Sequence, residues 1–391
     1  MKKFAKFSIY LYVCLCAVVS AFAYTPHRIE AVDTRSEAFG GPYFTDSSSV
    51  YALFTNPSAL AFAENKTLWP PLAAVGMGGP LDKMFKLGMD ILTKKVDTND
   101  PAALSVPLLD MIGDSGFNLN MRIGGPLTFG AIRNNFGWGF VNTLYAHGNV
   151  YSLMKSDIRA GGDLGFVAGY GFPLDLGVAG VLSVGVSGRS MVQLQANYVK
   201  GVAELFAGTG NPLSSVPVYL SFGFGFDMGV QYKIFDMLSI ALVWQDAYAP
   251  LWIKKFETVE QFAAFRGSPF KYAQAESKLG AGVELDFPVA EATKNIVSKL
   301  TVYADYNNLW PILQKKTFYR NPILELSFGA EAVLFKVLAV RAGVNDMYPA
   351  AGLGLNLGKF KIDASVFGKE LGFEPGYNPQ LNAGFSMSIK Y

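Results

Sequence analysis

The chain has 391 residues, 51% of them hydrophobic and only 16% charged, with 33 Lys+Arg against 31 Asp+Glu. So much apolar surface, with 14% aromatic residues, excludes a disordered polymer, and two cysteines exclude a disulfide scaffold. A near-neutral chain without a basic tract has no phosphate-neutralising field, so nucleic acid is excluded as a partner.

Taken from the start, Lys2, Lys3 and Lys6 precede an apolar run over 7-20 and the small-x-small end Ala21-Phe22-Ala23. This pattern predicts a signal peptide over 1-23, cut after Ala23 and too short to serve as a membrane helix. Cys14 and Cys16 would leave with it, so an exported product is expected to hold together by burial and hydrogen bonding alone.

Beyond residue 23 no stretch offers the ~20 uninterrupted apolar residues of a membrane helix. The chain instead alternates with period two. Over 220-232, Leu220, Phe222, Phe224, Phe226, Met228, Val230 and Tyr232 share one face, opposite Ser221, Gly223, Gly225, Asp227, Gly229 and Gln231. The pattern recurs over 279-287 and 351-358. A soluble sandwich would also alternate, with a bulky core face and a charged outer one. Here the second face is small and polar, which suits the crowded interior of a barrel whose apolar face meets lipid.

The strands expected on this basis are 68-78, 117-131, 135-147, 157-173, 177-194, 217-233, 236-248, 276-287, 298-309, 323-334, 336-344, 349-357, 360-369 and 380-391. That is fourteen, and an even count lets an antiparallel barrel close without leaving an unpaired edge in lipid. The fold class is therefore all-β, an antiparallel transmembrane barrel of about fourteen strands. Its long and short connections alternate, as in outer-membrane barrels. Between strands, 81-95 and a run opening at Asp100-Pro101 carry helical spacing. Residues 249-275 are expected to be an external connection. Phe85 and Leu92 on the first helix, with Trp252, Phe262 and Phe265 on that connection, form a candidate apolar entry surface.

By alternation Arg122, Asp163, Arg189, Asp227, Lys278, Glu284, Asp286, Lys299, Asp305, Glu325, Glu331, Arg341, Lys361 and Asp363 face inward, where mixed signs suit salt-bridge ladders holding the interior together. The last strand ends in Phe385, Met387, Ile389 and Tyr391 on one face, resembling the terminal signal read by barrel-insertion machinery; Phe385 and Tyr391 are its aromatic positions. No chemistry is laid out for an enzyme. His27 and His147 are the two histidines of the chain, no nucleophile and base are paired, no phosphate-cradling motif occurs and no cofactor is expected. His147 reads as an interfacial or solvated residue at an external strand end.

Between the signal and the first strand, Gly40-Gly41 is followed by Asn56-Pro57-Ser58-Ala59-Leu60-Ala61. Asn56 can cap a helical turn begun by Pro57, which fits a first helical position. With Gly40, Gly41, Asn56, Pro57, Leu60 and Ala61 in these places, the segment resembles the N-terminal hatch of the FadL/TodX long-chain fatty-acid transporter family. Ser47 after Asp46, and Ser58-Ala59 in place of an Ala-Gly pair, depart from that pattern. The likeness covers about thirty residues.

The resemblance implies a hatch over 24-66 inside a barrel of 67-391, in the bacterial outer membrane. It implies passive uptake of hydrophobic small molecules or lipids such as long-chain fatty acids, through a pocket of lumen-side aromatic and aliphatic groups, with outer-membrane lipid around the barrel. It also implies a lateral exit at a kinked third strand, for which Gly137 and Gly139 are the candidates; room for neighbouring side chains is the plainer role. The alternative is a plugged barrel acting as a shuttle or binding platform for exported proteins, or as a structural envelope protein.

Overall fold

The computed structural model describes residues 27-41, 43-68, 73-93, 95, 101-113, 116-125, 127-152, 154-199, 201, 216-235, 237-290, 293-314 and 320-389. The signal-peptide expectation, both cysteines and Tyr391 lie outside the described residues.

Eighteen strand segments form one antiparallel sheet: β1 (Lys66–Leu68), β2 (Ala73–Gly78), β3 (Phe117–Gly124), β4 (Phe129–Arg133), β5 (Phe136–Ser152), β6 (Lys155–Asp175), β7 (Val181–Tyr198), β8 (Val218–Ile234), β9 (Leu238–Tyr248), β10 (Pro250–Phe256), β11 (Lys271–Gln274), β12 (Lys278–Asp286), β13 (Val297–Tyr306), β14 (Leu326–Leu334), β15 (Leu338–Asn345), β16 (Tyr348–Leu357), β17 (Phe360–Glu370) and β18 (Pro379–Ile389). Four pairs of segments run in line, β1 with β2, β3 with β4, β9 with β10 and β11 with β12, so the wall has fourteen staves. β18 pairs with β2 from Asn382↔Gly78 to Met387↔Ala73 and closes the barrel. Closure leaves no sheet edge along the seam, which is the condition for a sheet to cross lipid.

The pleat decides which side chains point where. Along β8, Phe222, Phe224, Phe226, Met228 and Val230 are 38–49% exposed on the outer wall, while Ser221, Asp227 and Gln231 are 0–4% exposed inside. Leu353, Leu355 and Leu357 on β16 are likewise outside. The wall is greasy outward and polar inward, inverted relative to a soluble sandwich, and this is the profile of a membrane-spanning barrel.

One rim carries short turns such as 134-135 and 358-359; the other carries the long connections. On the long-loop rim, α3 (Leu81–Leu92) and α4 (Pro101–Ile112) pack as a hairpin. Residues 249-275 depart from expectation. Eleven of them are strand: β10 continues along β8 through Leu251↔Gly223 to Phe256↔Val218, and β11 returns along β10. Pro250 is the first residue of β10, where a missing N–H costs little. The tip carries α5 (Val259–Ala263), whose Phe262 packs on Phe256 over Ala196, Tyr198, Val216 and Val218.

Candidate functional site: the filled lumen

Residues 27-41 and 43-63 occupy the inside of the barrel, and the sequence shows how they are held. α1 (Thr34–Ala38) is capped by Asp33, whose side chain accepts from the Arg35 N–H at 3.1 Å. The turn after it needs positive φ at Gly40 (+100°) and Gly41 (+148°), a region side chains rarely adopt. α2 (Ala52–Thr55) leads to Asn56, which starts a 3-10 turn over Pro57–Ala61. Asn56 Oδ1 accepts from Ser58 N at 2.9 Å and Ser58 Oγ at 2.6 Å, and its Nδ2 donates to Phe44 O at 2.7 Å. The Asn-Pro motif is thus a buried cap that ties two turns of the segment together.

The two sides of this segment meet different walls. Toward β4, β5 and β6 part of the contact is apolar: Leu53 and Leu60 pack with Ile132 and Val167. Gly137 and Gly139 make room for it. A Cβ on Gly137 would sit 3.0 Å from Leu53 and 3.1 Å from Leu60. Both glycines keep regular partners on either side, Ile132 and Gly130 across β4, Gly169 and Val167 across β6. The irregular ladder lies instead at Gly125 and Thr128 of the neighbouring stave. There β3 and β4 keep different registers on β5, and Gly125 N and Thr128 Oγ1 both donate to Asn142 O. At Gly185 the approach is closer still, since a Cβ there would lie 2.1 Å from Ser58 N.

The opposite side is ionic. Arg35 donates through Nε (3.0 Å) and Nη2 (2.9 Å) to Glu331, and through Nη1 to Asp46 of its own segment. Arg341 joins Glu331 (2.6 Å) to Asp363 (2.7 Å), and all five groups are buried. Burial by itself would raise the Asp46 carboxyl, but the Arg35 guanidinium and the Ser48 hydroxyl outweigh it and hold it below the ordinary range. Asp33 has no such guanidinium bond; burial dominates and lifts its carboxyl. A second cluster joins Arg28 to Asp227 (2.8 Å) and Asp246 (3.3 Å), both of which also meet Arg189. Asp246 reaches this cluster because stave seven bulges there: β8 pairs Met228 with Trp244 but Phe226 with Tyr248, and Asp246 takes φ +51°. Arg122 holds Glu37 at 2.5 Å. Phe39 and Tyr43 stack with each other and with Tyr303 of the wall, at 4.8–5.2 Å.

The inward charges expected at Asp163, Arg189, Asp227, Glu284, Asp305, Glu331, Arg341 and Asp363 are all buried on the lumen side. Both histidines belong to the lumen as well. His27 meets Asp163 at 2.8 Å and lies edge-on to Tyr145, on which His147 stacks, so His147 is not the solvated strand end it resembled. A cavity of about 200 Å³ lies between the segment and β14 to β18, with Arg35, Glu331, Arg341, Lys361, Asp363 and Ser388 among its walls. Val50, Tyr51, Val333 and Leu355 also line it, so its walls mix charged and apolar groups.

The five candidate entry residues are not brought together. Phe85 and Leu92 stand on α3, 72% and 78% exposed. Trp252 faces outward on β10 and stacks on Phe222, while Phe262 and Phe265 pack on Phe256. Phe385 is on the outer face of β18, opposite Val75. Arg28, Arg35 and Asp246 were missed: partners 199 and 296 residues apart leave no local pattern to read.

No protein-family model and no curated protein matches the chain. Among solved structures it is similar to the toluene transporter TodX of Pseudomonas putida, with TM-score 0.48 and 12% identity over 94% of this chain and 100% of that one. It is also similar to the toluene transporter TbuX of Ralstonia pickettii (0.46, 12%, covering 93% and 99%). A third is a Pseudomonas aeruginosa FadL homologue (0.44, 11%, covering 93% and 99%).

Proposed function

We propose that this protein is a passive outer-membrane channel for hydrophobic small molecules such as long-chain fatty acids, with the N-terminal segment as its hatch. One observation carries the reading: a lipid-facing barrel has its lumen filled by its own N-terminal segment, and that segment is held by side-chain contacts with the wall. A structural barrel could fill its lumen with wall side chains alone. The Gly40-Gly41 and Asn56 to Ala61 motif, which resembles the hatch of that transporter family, supports the same assignment. In this reading movement follows the concentration gradient, and the sequence carries no phosphate-cradling motif.

In this reading the long-loop rim faces outside and the short turns face the periplasm. Apolar molecules adsorb on the α3/α4 hairpin, where Phe85, Met89 and Leu92 follow one another at helical spacing and are exposed. A sideways exit fits the interrupted ladder at Gly125 and Thr128 better than Gly137 and Gly139, which are paired on both sides.

The test is uptake of a fluorescent fatty acid and leakage of a small polar dye in proteoliposomes, for the full chain and for a chain lacking 40-61. Fatty-acid entry with the dye retained, and dye leakage on deletion, is the expected result. Equal dye retention by both chains would refute the hatch, and no fatty-acid entry above empty liposomes would refute the channel.

A further inference from the structure

The outer wall near the long-loop rim carries a cation that the proposed transport does not use. Lys254 lies on β10 opposite Leu220, next to the outward pair Trp252 and Phe222. Successive residues alternate faces, so Lys254 stands on the lipid side of the sheet while Lys255, opposite Tyr219, points the other way and pairs with Glu257 at 2.9 Å. Among the described residues no carboxylate lies within ion-pair distance of Lys254. Its ammonium sits 4.6 Å from the Phe265 ring centroid, 5.2 Å from Phe270 and 5.7 Å from Phe256.

Three rings attract one hemisphere of the charge and give it no hydrogen-bond acceptor. The connection 257-270 folds back on β10, with Ser268 N donating to Lys255 O, so the rings form a rigid floor beside the wall. Along the wall from this floor run Trp252, Phe222 and Phe224, an aromatic strip in ring-to-ring contact. The juxtaposition is an unneutralised cation at the rim above a strip that acyl chains would cover.

We propose that Lys254 and the rings of Phe265 and Phe270 form a binding site for a phosphate-bearing membrane lipid, phosphate on the ammonium and acyl chains along Trp252 and Phe222. The site rests on the transmembrane reading of the barrel but not on what the channel carries. The phosphate supplies the acceptors that the rings lack, and the desolvated rim strengthens the contact.

The experiment uses the purified full chain in detergent micelles and native mass spectrometry. The probes are phosphatidic acid and a diacylglycerol with the same acyl chains. The wild type is expected to retain phosphatidic acid over diacylglycerol, and Lys254→Gln to lower that retention about fivefold, the worth of one lysine at an anionic lipid surface. Lys254→Arg should restore most of it. Heat-modifiable migration on a gel checks that each variant is a folded barrel. Equal retention by wild type and Lys254→Gln would overturn the site, as would equal retention of the two lipids. Removal of the bound lipid by millimolar inorganic phosphate alone would also overturn it, because the site would then recognise the free ion.

Discussion

Replacing Arg35 by Met tests whether the ionic side of the lumen segment is what keeps it seated. The side chain is buried and makes two hydrogen bonds to Glu331 and one to Asp46, while its guanidinium lies 4.9 Å from the Phe39 ring centroid. Met restores much of the packing volume but none of the charge. Removing one partner of a buried ion pair costs roughly 3–5 kcal/mol, because the other is left buried and uncompensated. Glu331 keeps Arg341 at 2.6 Å, so the loss falls mainly on Asp46 and the low end applies. About 3 kcal/mol corresponds to roughly a hundredfold rise in the population of the unseated segment. Hydrogen exchange read by mass spectrometry should show that rise for amides of 33-46, with the β6 to β8 ladders unchanged. Less than a threefold change in the exchange of 33-46 would refute the claim that this cluster seats the segment.

Three other substitutions or conditions have definite outcomes. Gly185→Ala places a methyl against the Ser58 and Pro57 backbone, which cannot move aside as a side-chain tip can, so protease sensitivity of the Pro57–Ala61 turn should rise sharply. Asn56→Ala removes both the cap on Ser58 and the bond to Phe44 O; a loss of about 2 kcal/mol in the unfolding free energy of the segment is expected from denaturant titration in micelles. The Asp46 carboxyl, held below its ordinary value of 3.8, stabilises the seated segment above that pH and ceases to do so as pH falls through its lowered value. The part of the protection of 33-46 that Asp46→Asn removes should therefore be constant from pH 7 to 5 and decline in stronger acid, a comparison that cancels the raised carboxyl of Asp33.

The wall was legible in the sequence because period two is a local signal and a barrel exposes one face to a uniform solvent. Phe222, Phe224 and Phe226 announce their outward side without reference to any other strand. The 249-275 hairpin was not legible, since two prolines and a helical tip broke the alternation that β10 and β11 nonetheless satisfy by pairing with β8 and each other. In the lumen, the Asn56 cap was readable from spacing alone. The partners of Arg28 and Arg35 were not, because which inward carboxylate a guanidinium meets is decided by barrel closure. Gly137 and Gly139 show the same limit: room for neighbouring side chains was readable as their plainer role, but that the neighbours are Leu53 and Leu60 was not.

The Arg28 cluster has a bearing on how the molecule is made. Asp227 and Asp246 share Arg189, so this part of the wall alone holds two anions and one cation in a confined space, and Arg28 is the missing counter-ion. A sheet that curled up around water before Arg28 arrived would have to shut with that imbalance inside. A lumen segment that precedes the barrel in the chain thus supplies the charge that balances this part of the wall.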